Sequence, residues 1–227
     1  MAAARAAGVC NLAAMHTDRL IESLAAQLQP VRRLRSPLLR ALLWLALVGA
    51  ASFVLIVREA HLSIFMQRIA TPRVAVECCA TALTAITAVI AAFELSVPGH
   101  SPRWALLPVP PFLLWMGASG LGCLKNGLSL YGADGFVGES YSCFAFIAGA
   151  SLPLAAGLFW MLRRARPIAP LPVAALGTLG VAATSAFILQ FFHPFDVTVI
   201  DLTLHLAAVA LVVLIGTAWR RPLLAAD

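Results

Sequence analysis

A chain of 227 residues with 61% hydrophobic and only 11% charged side chains, and a mean hydropathy of +0.91, is far from the roughly 25% charged composition of a soluble domain. It reads as an integral membrane protein. Its formal charge of +6 comes from arginines and the lone Lys125, placed at the ends of apolar runs; that distribution belongs to membrane topology and excludes a direct role with nucleic acid. Without period-2 alternation a β-barrel is also excluded. The expected fold class is all-α, a polytopic membrane helical bundle of six transmembrane helices with a short cytoplasmic amphipathic N-terminal helix.

Residues 1–14 are weakly apolar and lead into a polar helix rather than a cleavage site, so they read as a non-functional N-terminal extension, with Met15 an alternative start. Residues 15–37 form the next unit. Within TDRLIESLAAQLQPVRRLRSP, Leu20, Ile21, Leu24 and Leu28 recur at i, i+1, i+4 and i+8 and draw one apolar stripe, while Arg19, Glu22, Ser23 and Gln27 stay off it. Thr17 or Asp18 can cap the start, and Pro30 stops it. A basic collar of Arg32, Arg33 and Arg35 then abuts the first apolar run. A helix this short cannot bury its own stripe, so it calls for lipid or a protein partner.

Six apolar runs follow within residues 38–221, each close to the roughly 20 residues that a hydrocarbon core of about 30 Å requires. The first spans 41–57 and the second 74–95, with Glu77 and Glu94 near its two ends. Ser96-Val97-Pro98-Gly99-His100 carries turn chemistry. The third run, 104–124, contains Pro108, Pro110 and Pro111, so its first half is expected to be kinked or irregular. Residues 125–140 read as a solvent loop. The fourth run, 140–162, stops at Arg163-Arg164-Ala165-Arg166; the fifth runs from after Pro172 to Phe192 with Gly177, Gly180, Ala183 and Ala186 permitting close packing; the sixth, 200–219, ends in Arg220-Arg221 before the tail at 222–227.

Orientation follows from the arginines. The N-terminal segment, the 2–3 and 4–5 loops and the C-terminal tail hold Arg5, Arg19, Arg32, Arg33, Arg35, Arg40, Arg103, Arg163, Arg164, Arg166, Arg220 and Arg221, against Arg58, Arg68, Arg73 and Lys125 in the other loops. Both termini are therefore expected in the cytoplasm of a bacterial inner membrane. Threaded this way, Cys78, Cys79, Cys123 and Cys143 share the outer leaflet with His61, His193 and His205 and with Glu77, Asp196 and Asp201. Thiol and imidazole suit a soft metal ion, and outward-facing thiols can pair; the plainer reading is a set of small apolar cysteines and an Asp201–His205 pair one helical turn apart. No nucleophile elbow, HExxH or phosphate loop is present, so no enzyme and no cofactor is expected, apart from a sensed metal ion.

The residues also carry a resemblance. Thr17-Asp18, Leu20-Ile21, Leu24-Ala25, Pro30-Val31, Arg33-Leu34 and Pro37 fit the opening, and Leu95-Ser96-Val97-Pro98-Gly99 the loop, of the NrsF family of six-span bacterial anti-sigma factors; Cys143, Pro153 and Arg163-Arg164 follow in place. The resemblance implies that the cytoplasmic segment, through Thr17, Asp18, Leu20, Ile21, Leu24, Leu28, Arg32 and Arg33, sequesters an extracytoplasmic-function sigma factor, and that an envelope signal, heavy metal or oxidative stress, releases it. Where the family has Cys-Pro this chain has His193-Pro194, while His205 matches. That closes a two-cysteine switch at those positions and leaves a Cys143–His193–His205 metal site, or a switch through Cys123, Cys78 or Cys79. Expected partners are the sigma factor and membrane lipid, with a homo-oligomer left open. The competing readings are a small transporter or channel and a thiol–disulfide oxidoreductase.

Overall fold

Inside a bilayer the backbone has no water to bond, so a single span must satisfy its own amide and carbonyl groups, and an α-helix does so within one segment. The computed structural model describes residues 17–26, 34–60, 62–125, 137–192 and 199–224, and the side chains of these except 123–125, 137–142 and 199–201; every regular element among them is helical. The chain divides into two units, residues 1–34 and 35–227. In the first, residues 17–26 form helix α1, with every side chain exposed.

In the second unit α2 (Pro37–Glu59) starts where Ser36 Oγ accepts from the Leu39 amide at 3.4 Å, with Pro37 in the first turn, where a missing N–H costs nothing. Its buried positions, Arg40, Ala41, Trp44, Val48 and Ile56, face inward, and most of the other residues of the helix are apolar and exposed. Then α3 (Leu62–Ile69) and α4 (Pro72–Leu95) follow. After a 3-10 turn (Pro102–Leu106) comes α5 (Val109–Lys125), so the expected irregular start of the third run is real. Pro110 and Pro111 sit in the first turn of α5, and the helix is picked up by the Phe112 amide donating to the Pro108 carbonyl at 3.0 Å. Next are α6 (Val137–Leu162), which runs through Pro153, a 3-10 turn (Arg163–Ala165), α7 (Pro170–Leu189), α8 (Val199–Ala218) and α9 (Arg220–Leu224).

Among the described residues five helices are long and apolar enough to cross a membrane: Pro37–Glu59, Pro72–Leu95, Pro102–Gly122, Cys143–Ala165 and Pro170–Leu189. Leu202–Ala218, within α8, is a shorter apolar helix at the place of the expected sixth run. Burial orders them: 72% of the α7 window is inside the bundle against 22% for α2, which makes α7 the axis and α2 a peripheral helix. The closest seam joins α4 and α7. At Gly180 a Cβ would lie 2.8 Å from Val89 Cγ2 and 3.1 Å from the Val89 amide nitrogen, so glycine is what lets the two backbones approach. Between α6 and α7 the Ser151 and Ser185 hydroxyls meet at 3.1 Å.

Two apolar layers stack along the bundle. One joins Ala41 and Trp44 to Phe93, Leu158, Leu162, Val173 and Leu224; the other joins Ala80 and Trp115 to Cys143, Ile147, Ala182, Ala186 and Val209. The first lies at the end where α2 starts and α4 and α6 finish. Arg35, Arg40, Arg103, Arg163, Arg164, Arg166, Arg220 and Arg221 surround that end, with Glu94 as its carboxylate among the described side chains. The opposite end is mixed: Arg58, Arg68 and Arg73 with Glu59 and Glu77.

Three stretches differ from the sequence reading. Residues 62–69, expected to be loop, fold into α3 because Phe65 buries its ring against Phe191, centroids 4.2 Å apart. An eight-residue helix is marginal alone, and this docking is what secures it. Residues 220–224 turn into α9 and bury Leu224 in the first layer. Of the loop expected at 125–140, residues 126–136 lie outside the described residues, Lys125 ends α5, and 137–140 are the first turn of α6 rather than loop.

Candidate functional site

On α1, Leu20, Ile21 and Leu24 are 57%, 59% and 55% exposed, and Thr17 and Asp18 occupy its first turn. Ser23 turns its hydroxyl back to the Leu20 carbonyl at 2.9 Å, off the apolar stripe. Three large aliphatic side chains on one face are worth about 1.5–3 kcal/mol each once buried, which is the scale of a helix-in-groove contact. Leu28, Arg32 and Arg33, the rest of the expected docking segment, lie outside the described residues.

At the mixed end of the bundle the structure assembles a polar network that the linear sequence disguises. Glu77, buried on α4, accepts from the Ser119 hydroxyl of α5 at 2.8 Å through Oε1 and from Arg73 Nη1 at 3.3 Å through Oε2. One turn on, the Thr81 hydroxyl donates to the Glu77 carbonyl at 2.7 Å and accepts from Gln190 Nε2 of α7 at 3.3 Å. Arg68 of α3 donates to the Gln190 carbonyl at 3.5 Å. A charge at membrane depth is costly unless paired, and here both carboxylate oxygens have partners. Arg68, Glu77, Ser119 and Gln190 border a cavity of about 60 Å³ walled by Phe112, Trp115, Met116, Ala186, Leu189, Leu202, Leu206 and Val209, and His205 of α8 also lines it. Sequence reading picked out Glu77 and His205 but missed Arg68, Ser119, Thr81 and Gln190. Arg68 and Gln190 are 122 positions apart, and no local pattern links them; the only signal is that each is polar beside an apolar run.

The expected sensing residues distribute unevenly. Cys78 and Cys143 are buried and Cys79 is exposed. Cys143 belongs to the same apolar layer as Trp115, Ala186, Leu189 and Val209, four residues that also wall the cavity carrying His205. Cys143, in the layer, and His205, on the cavity, are linked through these four residues. His193 and the Cys123 side chain lie outside the described residues, and among the described residues no three His, Cys, Asp or Glu side chains gather as a metal cluster.

At the basic end the Leu95–Gly99 loop explains its own residues. The Ser96 hydroxyl donates to the Phe93 carbonyl at 2.6 Å, Gly99 adopts φ +88°, a left-handed conformation that suits glycine, and His100 Nδ1 returns to Glu94 Oε2 at 2.8 Å. The segment is a closed turn that gives the buried Glu94 carboxylate a hydrogen-bonding partner.

Long apolar helices, close glycine packing and paired intramembrane charges define a polytopic all-α membrane protein, with a separate, exposed amphipathic helix ahead of it. No curated protein and no solved structure matches the chain. The chain belongs to the NrsF family, described as negative regulator of sigma F, whose family model matches residues 24–225. The match begins at Leu24 and so covers the bundle and the second half of the docking stripe.

Proposed function

We propose that this protein is a membrane anti-sigma factor that holds an extracytoplasmic-function sigma factor at the cytoplasmic face of a bacterial inner membrane, both termini inside, and so keeps it from RNA polymerase. The observation that carries the reading is the exposed stripe of Leu20, Ile21 and Leu24 on a helix belonging to a unit apart from the bundle. Family membership supplies the partner's class. The stripe docks as a helix in a groove, and Arg32 and Arg33 meet acidic sigma surface. In a pull-down, Leu20→Asp with Leu24→Asp loses capture of the sigma factor, because two buried carboxylates replace two apolar anchors; undiminished capture refutes the assignment.

The input, on this reading, sits at the mixed end, where six-span threading faces the periplasm. Cys143, in the apolar layer, and His205, on the cavity that this layer borders, are the first candidates for a sensed metal ion or an oxidant, and His193, Cys123, Cys78 and Cys79 are the remaining ones. Release requires that the signal bind one packing of the bundle better than another. A sigma-dependent reporter loses metal induction in Cys143→Ser; unchanged induction removes Cys143 from the mechanism.

A further inference from the structure

The basic end of the bundle contains a buried cation without a counter-charge. Arg40, in the first turn of α2, is only 6% exposed. One guanidinium nitrogen, Nη2, donates to the Met161 carbonyl in the last turn of α6, and the carbon of the group stands 5.1 Å from the centroid of the Phe93 ring on α4. The other terminal nitrogen, Nη1, is buried and has no hydrogen-bond partner. Its charged neighbour is of the same sign: Arg164 acts on it electrostatically while stacking 3.9 Å from the centre of the half-exposed Trp160 ring. Glu94, the nearby carboxylate on α4, is already held by His100. A buried guanidinium with one unmade bond and a second arginine beside it is an expensive arrangement, and an anion would relieve it.

We propose that the α2–α6 seam at this end is a binding site for the phosphate of an anionic phospholipid, accepted by Arg40 Nη1 and Arg164. Three observations select a phosphate on a lipid. The seam lies on the peripheral helix of the bundle, so the bilayer borders it, and a phosphate reaches the buried Nη1 once the Arg40 side chain turns outward. Leu39, Leu42 and Leu43 on α2 are exposed and apolar, a surface for acyl chains rather than for a water-soluble peptide. Trp160 with Arg164 is the amphipathic pairing that suits the headgroup level, and basic pockets between helices are a recognised form of lipid headgroup site. The start of α2 adds its helix dipole, positive toward the same anion. The site is separate from the cavity at the other end and does not depend on sigma-factor capture.

The test uses the full chain purified in a neutral detergent, with thermal unfolding followed by tryptophan fluorescence. Phosphatidylglycerol raises the wild-type midpoint by about 2–4 °C or more, the shift expected for a chain of this size per kcal/mol of ligand stabilisation; phosphatidylcholine and inorganic phosphate do not. Arg40→Gln abolishes the shift, and Arg58→Gln, the same charge change at the opposite end of α2, keeps it. Equal shifts with the two lipids, a full shift in Arg40→Gln, or equal loss in Arg58→Gln overturns the proposal, and a full shift with inorganic phosphate replaces the lipid by a free anion and overturns it too. If Arg40→Gln yields no folded protein, Arg164→Gln, on an exposed side chain, decides: at least half the shift is lost, and full retention is a refutation. Loss of sigma-factor capture in Arg40→Gln with the lipid shift intact would assign Arg40 to the protein partner instead.

Discussion

The two ends of the bundle solve the problem of charge in a membrane in opposite ways. At the mixed end Glu77 has both carboxylate oxygens bonded, to Ser119 and Arg73, and Thr81 and Gln190 join it across the helices, although Arg68 Nε there is buried without a hydrogen bond; a small cavity lies beside them. At the basic end arginines outnumber carboxylates, and the one that is buried, Arg40, keeps an unmade bond. A carboxylate bonded through both oxygens supports a definite packing and resists loss of a partner; a buried cation with a second cation beside it leaves a valence for something outside the chain. The first kind of end suits an input, the second an anchor.

Substitutions can break or sharpen this contrast. The largest effect is expected for Glu77→Ala, which strips Ser119 and Arg73 of their buried acceptor and lowers stability by about 3–5 kcal/mol, read as a falling unfolding midpoint in detergent; a midpoint near wild type would mean the network is not structural. Ser119→Ala removes one donor and costs about 1–3 kcal/mol. Arg40→Met should behave differently, staying within about 1 kcal/mol of wild type in the absence of anionic lipid, because an apolar chain of similar length replaces an uncompensated charge. A loss as large as that of Glu77→Ala would erase the distinction between the ends. The smallest perturbation is chemical: a small maleimide modifies Cys79 first, and Cys78 and Cys143 only on unfolding, as their burial requires.

Much of the architecture was readable along the chain. The apolar runs and their charged or proline-marked ends located α2, α4 and α7 to within a few residues, and in the structure Pro37, Pro72 and Pro170 open these helices, where a missing N–H costs nothing. The stripe on α1 and the break before α5 were equally local. Helix α3 was not, because its stability comes from Phe65 meeting Phe191, and neither residue reports the other. The candidate site was legible by halves: Glu77 and His205 stand out as polar residues in apolar runs, whereas Ser119 and Gln190 are ordinary until α5 and α7 pack on α4.

By itself, then, the sequence determined that this chain enters a membrane as helices, where those helices begin and end, and which short segment keeps an apolar face to offer. These follow from composition and periodicity, which act over a few residues. Only the tertiary structure decided that α7 is the axis, that Gly180 lets α4 approach it, that Ser119 meets Glu77, and that one guanidinium nitrogen of Arg40 lacks an acceptor. Those depend on which helix faces which, and long-range contacts between apolar surfaces of similar character are not encoded in any local pattern.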